Sequence, residues 1–160
     1  PYKKFGVQAA AYRLGVPFSS HPMMGHDIIY THPMNHCAAI GRAAQRDFLV
    51  FAQQVMNLDG GVYMSVGSAV MSPMIFEKSL SMSQNLHIQE GKHIDNHYMV
   101  IVDLQESHWD WSQGEPPMDN PDYYLRYNKS FNRMGGQMRY VTADNRDFLL
   151  TLVKTLEERK

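Results

Sequence analysis

The segment Asp59–Asn85, DGGVYMSVGSAVMSPMIFEKSLSMSQN, constrains the fold more than any other stretch. Asp59-Gly60-Gly61 is turn chemistry. Val62 to Val66 is short, apolar and partly β-branched, which suits a strand covered on both faces. Gly67-Ser68-Ala69 carries little side-chain bulk. Ser72 is placed to act as an N-cap, and Pro73 suits a first helical position, where a missing N–H costs nothing. Met74, Phe76, Leu80 and Met82 then supply apolar positions along a helix. A strand that ends in small residues and opens a helix presents backbone N–H groups at the positive end of the helix dipole, a geometry that binds phosphates and carboxylates. The loop is neither GxGxxG nor a P-loop, so the same residues also suit a plain strand–helix unit whose small side chains only permit close packing.

The rest of the 160-residue chain is read around that unit. Lys4–Leu14 has helix-forming alanines, with Gly15 as its stop. Val16–Ser20 is expected as a short strand, followed by an irregular loop over 21–36. Cys37–Met56 is an alanine-rich helix with Ile40, Ala44, Phe48, Phe51 and Val55 at helical spacing. His97–Asp103 is the clearest strand. Trp109 and Trp111 sit in a proline-rich excursion that is expected to lid a pocket, stack on a flat ring or plug the core. Asp122–Met134 is expected as a helix stopped by Gly135-Gly136, and Met138–Thr142 as a strand. A last amphipathic helix follows, with Phe148, Leu149, Leu152, Val153 and Leu156 on its core side.

Strands alternating with long helices predict a single α/β domain over 1–160, with a three-layer Rossmann-like, mainly parallel sheet flanked by helices. Four strands is few for such a sheet. Together with a start at Pro1, this reads as the C-terminal part of a larger domain. Hydrophobic residues make up 44% and charged residues 19%, which places the chain among globular rather than disordered sequences. A net charge of −1 argues against a general nucleic-acid or membrane-surface binder. The single cysteine, Cys37, forbids an internal disulfide and fits a reducing, cytoplasmic compartment.

In open α/β sheets ligands bind beyond the C-terminal strand ends. The loops expected there are 19–36, 67–72, 103–120 and 142–146. Gly67, Ser68, Ala69, Ser72, Asp103 and Asp144 are the candidate cofactor-binding residues. Four histidines, His21, His26, His32 and His36, fall within sixteen residues. Their spacing matches no zinc pattern, and the bland alternative is that they bond loop backbone or pack at a subunit contact. His26 and Asp27 are the candidate catalytic pair, since a carboxylate beside an imidazole sets its tautomer when the side chains face each other. No metal ligand is assigned.

The runs AAAYRLGVPFSSHPMMGHDIIY (residues 9–30), RDFLVFAQQVMNLDGGVYMSVGSAVMSP (46–73) and TADNRDF (142–148) resemble the deoxyhypusine synthase-like family, chiefly its uncharacterised bacterial members. That resemblance implies a Rossmann-type fold, bound NAD, NAD-dependent transferase chemistry and a homotetramer with sites at subunit contacts. Of the family's loop pattern, Gly25 and Asp27 carry over and the histidines depart. The family's catalytic lysine does not carry over to Lys3 or Lys4. Two other readings stand beside it: a metal-dependent hydrolase built on the His21–His36 cluster, and a non-catalytic oligomeric binding domain. A small-molecule ligand and self-association are expected; nucleic acid and membrane are not.

Overall fold

The computed structural model describes residues 1–125 and 127–159. The chain divides into two compact units, 1–54 and 55–160.

The first unit holds helix α1 (Val7–Leu14) and nearly all of helix α2 (Cys37–Met56), the second of which has the bounds that its apolar spacing predicts. Gly15 closes α1 in the left-handed conformation (φ 66°), where its N–H and that of Val16 return to Tyr12 and Ala11. Val16–Ser20 is not a strand. Pro17 offers no donor there, and the Ser20 N–H donates to a carboxylate oxygen of Asp47 at 2.8 Å instead of to a neighbouring strand. The loop over 21–36 is irregular as expected, apart from one 3₁₀ turn at Ile28–Thr31.

The second unit is α/β. Strands β1 (Val62–Val66), β2 (Tyr98–Asp103) and β3 (Gln137–Thr142) form a parallel sheet in the order β1-β2-β3, flanked by helices and compatible with a Rossmann-like arrangement. Three strands pair among the described residues, one fewer than expected, because 16–20 stays unpaired. Helix α3 (Met71–Gln89) connects β1 to β2, and the Tyr63 ring stacks on Phe76 of α3 with centroids 4.0 Å apart. Phe131, on the short helix α4 (Asn128–Asn132), completes this aromatic cluster. Beyond α3, the Gln84 side chain accepts from the Ile94 N–H and donates to its carbonyl at 2.9 and 2.7 Å, pinning the return to β2. The core is Phe76, Leu80, Ile94, Met99, Val102 and Met138 with Trp111 and Phe131.

Three expectations need correction. Val62 and Met64, on the face of β1 opposite Tyr63 and Ser65, are exposed, so its two faces are not both covered. The expected helix over 122–134 is a 3₁₀ turn (Pro121–Tyr124) and the short α4. The cause is Asp122: one buried oxygen accepts from Ser107 Oγ and from the His108 and Trp109 N–H groups at 2.7–2.9 Å. Burial pushes this carboxyl up, but those donors together hold it below the ordinary aspartate value. Of the three roles open to the tryptophans, plugging the core is the one Trp111 takes: it is 2% exposed and donates to Ser107 Oγ, while half-buried Trp109 donates to the Gly114 carbonyl. Finally, helix α5 (Asn145–Glu157) has no buried residue, and Leu149, Val153 and Leu156, expected on its core side, are exposed.

Candidate functional site

The parallel register brings three loops to one edge of the sheet. Val66 lies opposite Val102, Val102 opposite Val141, and Asp103 opposite Thr142. The Gly67 N–H donates to the Val102 carbonyl, and the Ala143 N–H to the Asp103 carbonyl, both at 3.0 Å. Gly67, Asp103 and Asp144 therefore sit within two residues of the C-terminal strand ends.

Gly67 turns the chain out of β1 with φ 68°, and a Cβ there would collide with the side-chain amide of Asn145. The amide thus lies against the loop backbone, at the first residue of α5. Helix α3 begins at Met71, one residue before the expected cap, and Ser72 does not cap it. Ser68 does part of that work, its Oγ accepting from the Ser72 N–H at 3.0 Å. The Ser72 hydroxyl instead pairs with the Tyr63 hydroxyl at 2.6 Å. Burial raises the Tyr63 phenol above its ordinary range, with the Ser72 bond opposing. Pro73 has no N–H, so the donors left at the α3 terminus are those of Ala69, Val70 and Met71, which pair with nothing among the described residues. The anion-binding geometry is thus narrower than the sequence implies.

Asp103 is 9% exposed and accepts from the Gln105 N–H at 3.2 Å. Asp144 is the N-cap of α5, accepting from the Arg146 N–H at 2.9 Å. The structure thus brings Gly67, Ser68, Ala69, Ser72, Asp103 and Asp144 to one edge and adds Tyr63 and Asn145. The alternation of β1 places Tyr63 beside Ser65 on one face, but its bond to Ser72 has no sequence signal.

The histidine loop has other geometry. His26 is exposed, and its N–H donates to the Met23 carbonyl. Asp27 spends one oxygen on the Met23 N–H at 2.5 Å, closing a turn. His32 and His36 accept from the Met34 and Ala39 N–H groups through Nδ1, both at 3.1 Å, and His36 in this way caps α2. His21 packs edge-on against Phe51 and pairs with Ser19 Oγ at 2.9 Å. Burial lowers its basicity, and Asp47 opposes that shift. No group of three or more His, Cys, Asp or Glu among the described residues is arranged to hold a metal ion. Without a strand at 16–20, this loop has no strand end to follow.

A concavity runs between β3 and the tryptophan turn (Trp111–Gln113). Clefts of about 390 and about 290 Å³ share Trp111, Ser112, Met138 and Arg139. Glu115 in this excursion forms a bidentate pair with Arg133, the C-cap of α4. No described helix is long and apolar enough to cross a membrane. Comparison with protein-family models, curated proteins and solved structures finds no match.

Proposed function

We propose that the second unit binds NAD or a related nucleotide at the C-terminal edge of its sheet. One observation carries this reading: the register gathers the Gly67–Ser72 loop, Asp103 and Asp144 at the place where open α/β sheets take ligands. In this reading the Ala69, Val70 and Met71 N–H groups receive a phosphate, with the α3 dipole behind them. Gly67 lets the backbone approach, and Asp103 accepts from a ligand hydroxyl. The resemblance to deoxyhypusine synthase-like proteins supports NAD as the nucleotide and a transferase as the reaction class. The same resemblance supports reading the whole chain as the C-terminal part of a larger Rossmann-type domain.

Titration calorimetry with NAD tests the reading. Saturable binding by the wild-type chain is expected, weakened at least about tenfold by Ser68→Leu, which puts bulk on the loop and removes the Ser72 N–H acceptor. Equal affinities would remove the loop from the site, and no heat with NAD, AMP or inorganic phosphate would remove the reading.

A further inference from the structure

We propose that the cleft between β3 and the tryptophan turn binds a free α-amino acid whose side chain is polar and uncharged. Its lining shares no residue with the Gly67–Ser72 loop, Asp103 or Asp144, and lies wholly within the second unit. The Gln137 N–H donates to the His97 carbonyl at 2.9 Å, and the Ala143 N–H to the Asp103 carbonyl at 3.0 Å. In a parallel ladder a residue turns both its N–H and its C=O to the same neighbour, and the next residue turns both away. Gln137, Arg139 and Val141 therefore bond β2, while Met138 turns its donor and acceptor to the cleft that it lines.

Met138 is 3% exposed, and neither its N–H nor its carbonyl meets a partner among the described residues. Buried backbone groups are nearly always paired, so an orphaned donor and acceptor on a cleft wall mark a place for a ligand to complete. The facing turn does not complete it. The Trp111 carbonyl is taken by the Asn132 side chain and the Gly114 N–H, and the Ser112 N–H by Asp110. The turn packs against β3, which leaves room here for a small molecule and none for a further strand.

Charge selects the occupant. Two charged side chains line the clefts, Arg139 in both and Asp110 in the smaller. Bonds from Ser112 and Gln113 hold the Asp110 carboxyl below the ordinary aspartate range, and Arg139 adds to that shift. One cation and one anion, with a backbone donor and acceptor beside them, are the complement of a zwitterion. Along β3 the Met138 N–H precedes its carbonyl, so the donor lies toward Gln137 and the larger cleft, and the acceptor toward Tyr140 and the smaller. An α-amino acid then answers Met138 as a facing antiparallel residue does. Its carboxylate accepts from the Met138 N–H and from Arg139, and its ammonium donates to the Met138 carbonyl on the Asp110 side. Its side chain enters the larger cleft, where Gln113 and Asn132 use their amide nitrogens on Asp110 and the Trp111 carbonyl and keep their amide oxygens. Those oxygens suit a carboxamide or hydroxyl donor, whereas a charged side chain meets no counter-charge. A volume of about 390 Å³ suits one amino acid rather than a dinucleotide.

Backbone amide shifts of the labelled full chain, followed as L-glutamine is added, test the proposal. Saturable shifts are expected at Ser112, Gln113, Met138 and Arg139. Arg139 is exposed, so Arg139→Gln keeps the fold, and it should weaken binding at least about tenfold by removing a charged donor. N-acetyl-L-glutaminamide, which has the same side chain and neither charge, should give no saturable shift. L-leucine, which has both charges and no side-chain donor, should bind more weakly than L-glutamine. No saturable shift with L-glutamine, L-asparagine or L-serine at tens of millimolar would overturn the proposal and leave Met138 to ordered water. So would equal binding by the blocked amide, by L-leucine or by the Arg139→Gln variant.

Discussion

Gly67 and His97 are the single residues on which the second unit depends most sharply. Gly67 combines a left-handed backbone with contact against Asn145, so Gly67→Ala brings a conformational cost and a collision together. The backbone part alone is about 1–2 kcal/mol. Urea unfolding should show at least that loss, with part of the excess recovered when Asn145→Ala is added. A loss carried wholly by the backbone would leave the double variant no better than the single. His97 is 4% exposed, lies edge-on to Phe76, and neither ring nitrogen meets a hydrogen-bonding partner among the described residues. Its other neighbour is Gly136, where a Cβ would come within 2.9 Å of Nε2. Burial lowers its basicity, and the nearby Asp59 and Asp95 carboxylates only partly oppose that. The folded state therefore binds this proton less readily than the unfolded chain. Stability is full above the unfolded value of about 6.5 and declines as pH falls from there to the lowered folded value. His97→Leu should flatten the fall in urea midpoint between pH 7 and pH 5; an unchanged slope would assign it to other groups.

At the scale of elements, legibility follows where the deciding interactions lie. Cys37–Met56 and Val62–Val66 are readable to the residue, because apolar spacing and flanking glycines are local signals. β2 and β3 are readable within one residue for the same reason. The helix over 122–134 is not, because Asp122 is recruited by three donors thirteen to fifteen residues away. The start of α3 is misread because the side chain that bonds its N-terminus lies four residues upstream of the N–H it accepts from. At the candidate site, the convergence of Gly67, Asp103 and Asp144 follows from fold class alone, whereas the cap by Ser68, the Tyr63–Ser72 bond and the Asn145 contact do not. His32 and His36 bond nearby backbone, a role that composition does not distinguish from a site. Asp122→Ala should cost about 3 kcal/mol, since it strands the His108 and Trp109 N–H groups away from an ionised acceptor. Tryptophan emission should shift to longer wavelength below the unfolding transition as Trp111 loosens. Wild-type emission and stability would show that the excursion does not hang on this carboxylate.

The whole molecule pairs a well-packed α/β unit with a 54-residue unit that buries little. Phe5, Tyr12, Leu14, Ile28 and Met34 are all exposed there, and Ala52 is its one buried residue among those described. In the α/β unit, Leu149, Val153 and Leu156 of α5 are exposed as well. The central claim concerns the C-terminal edge of the sheet. Backbone amide chemical shifts of the isotopically labelled chain, followed as NAD is added, test it most directly. Saturable shifts are expected at Gly67–Met71, Asp103–Leu104 and Asp144–Asn145, with the tryptophan clefts and the histidine loop unmoved. Shifts confined to Trp111–Gln113 and Gln137–Arg139, or to the loop over 21–36, would contradict it.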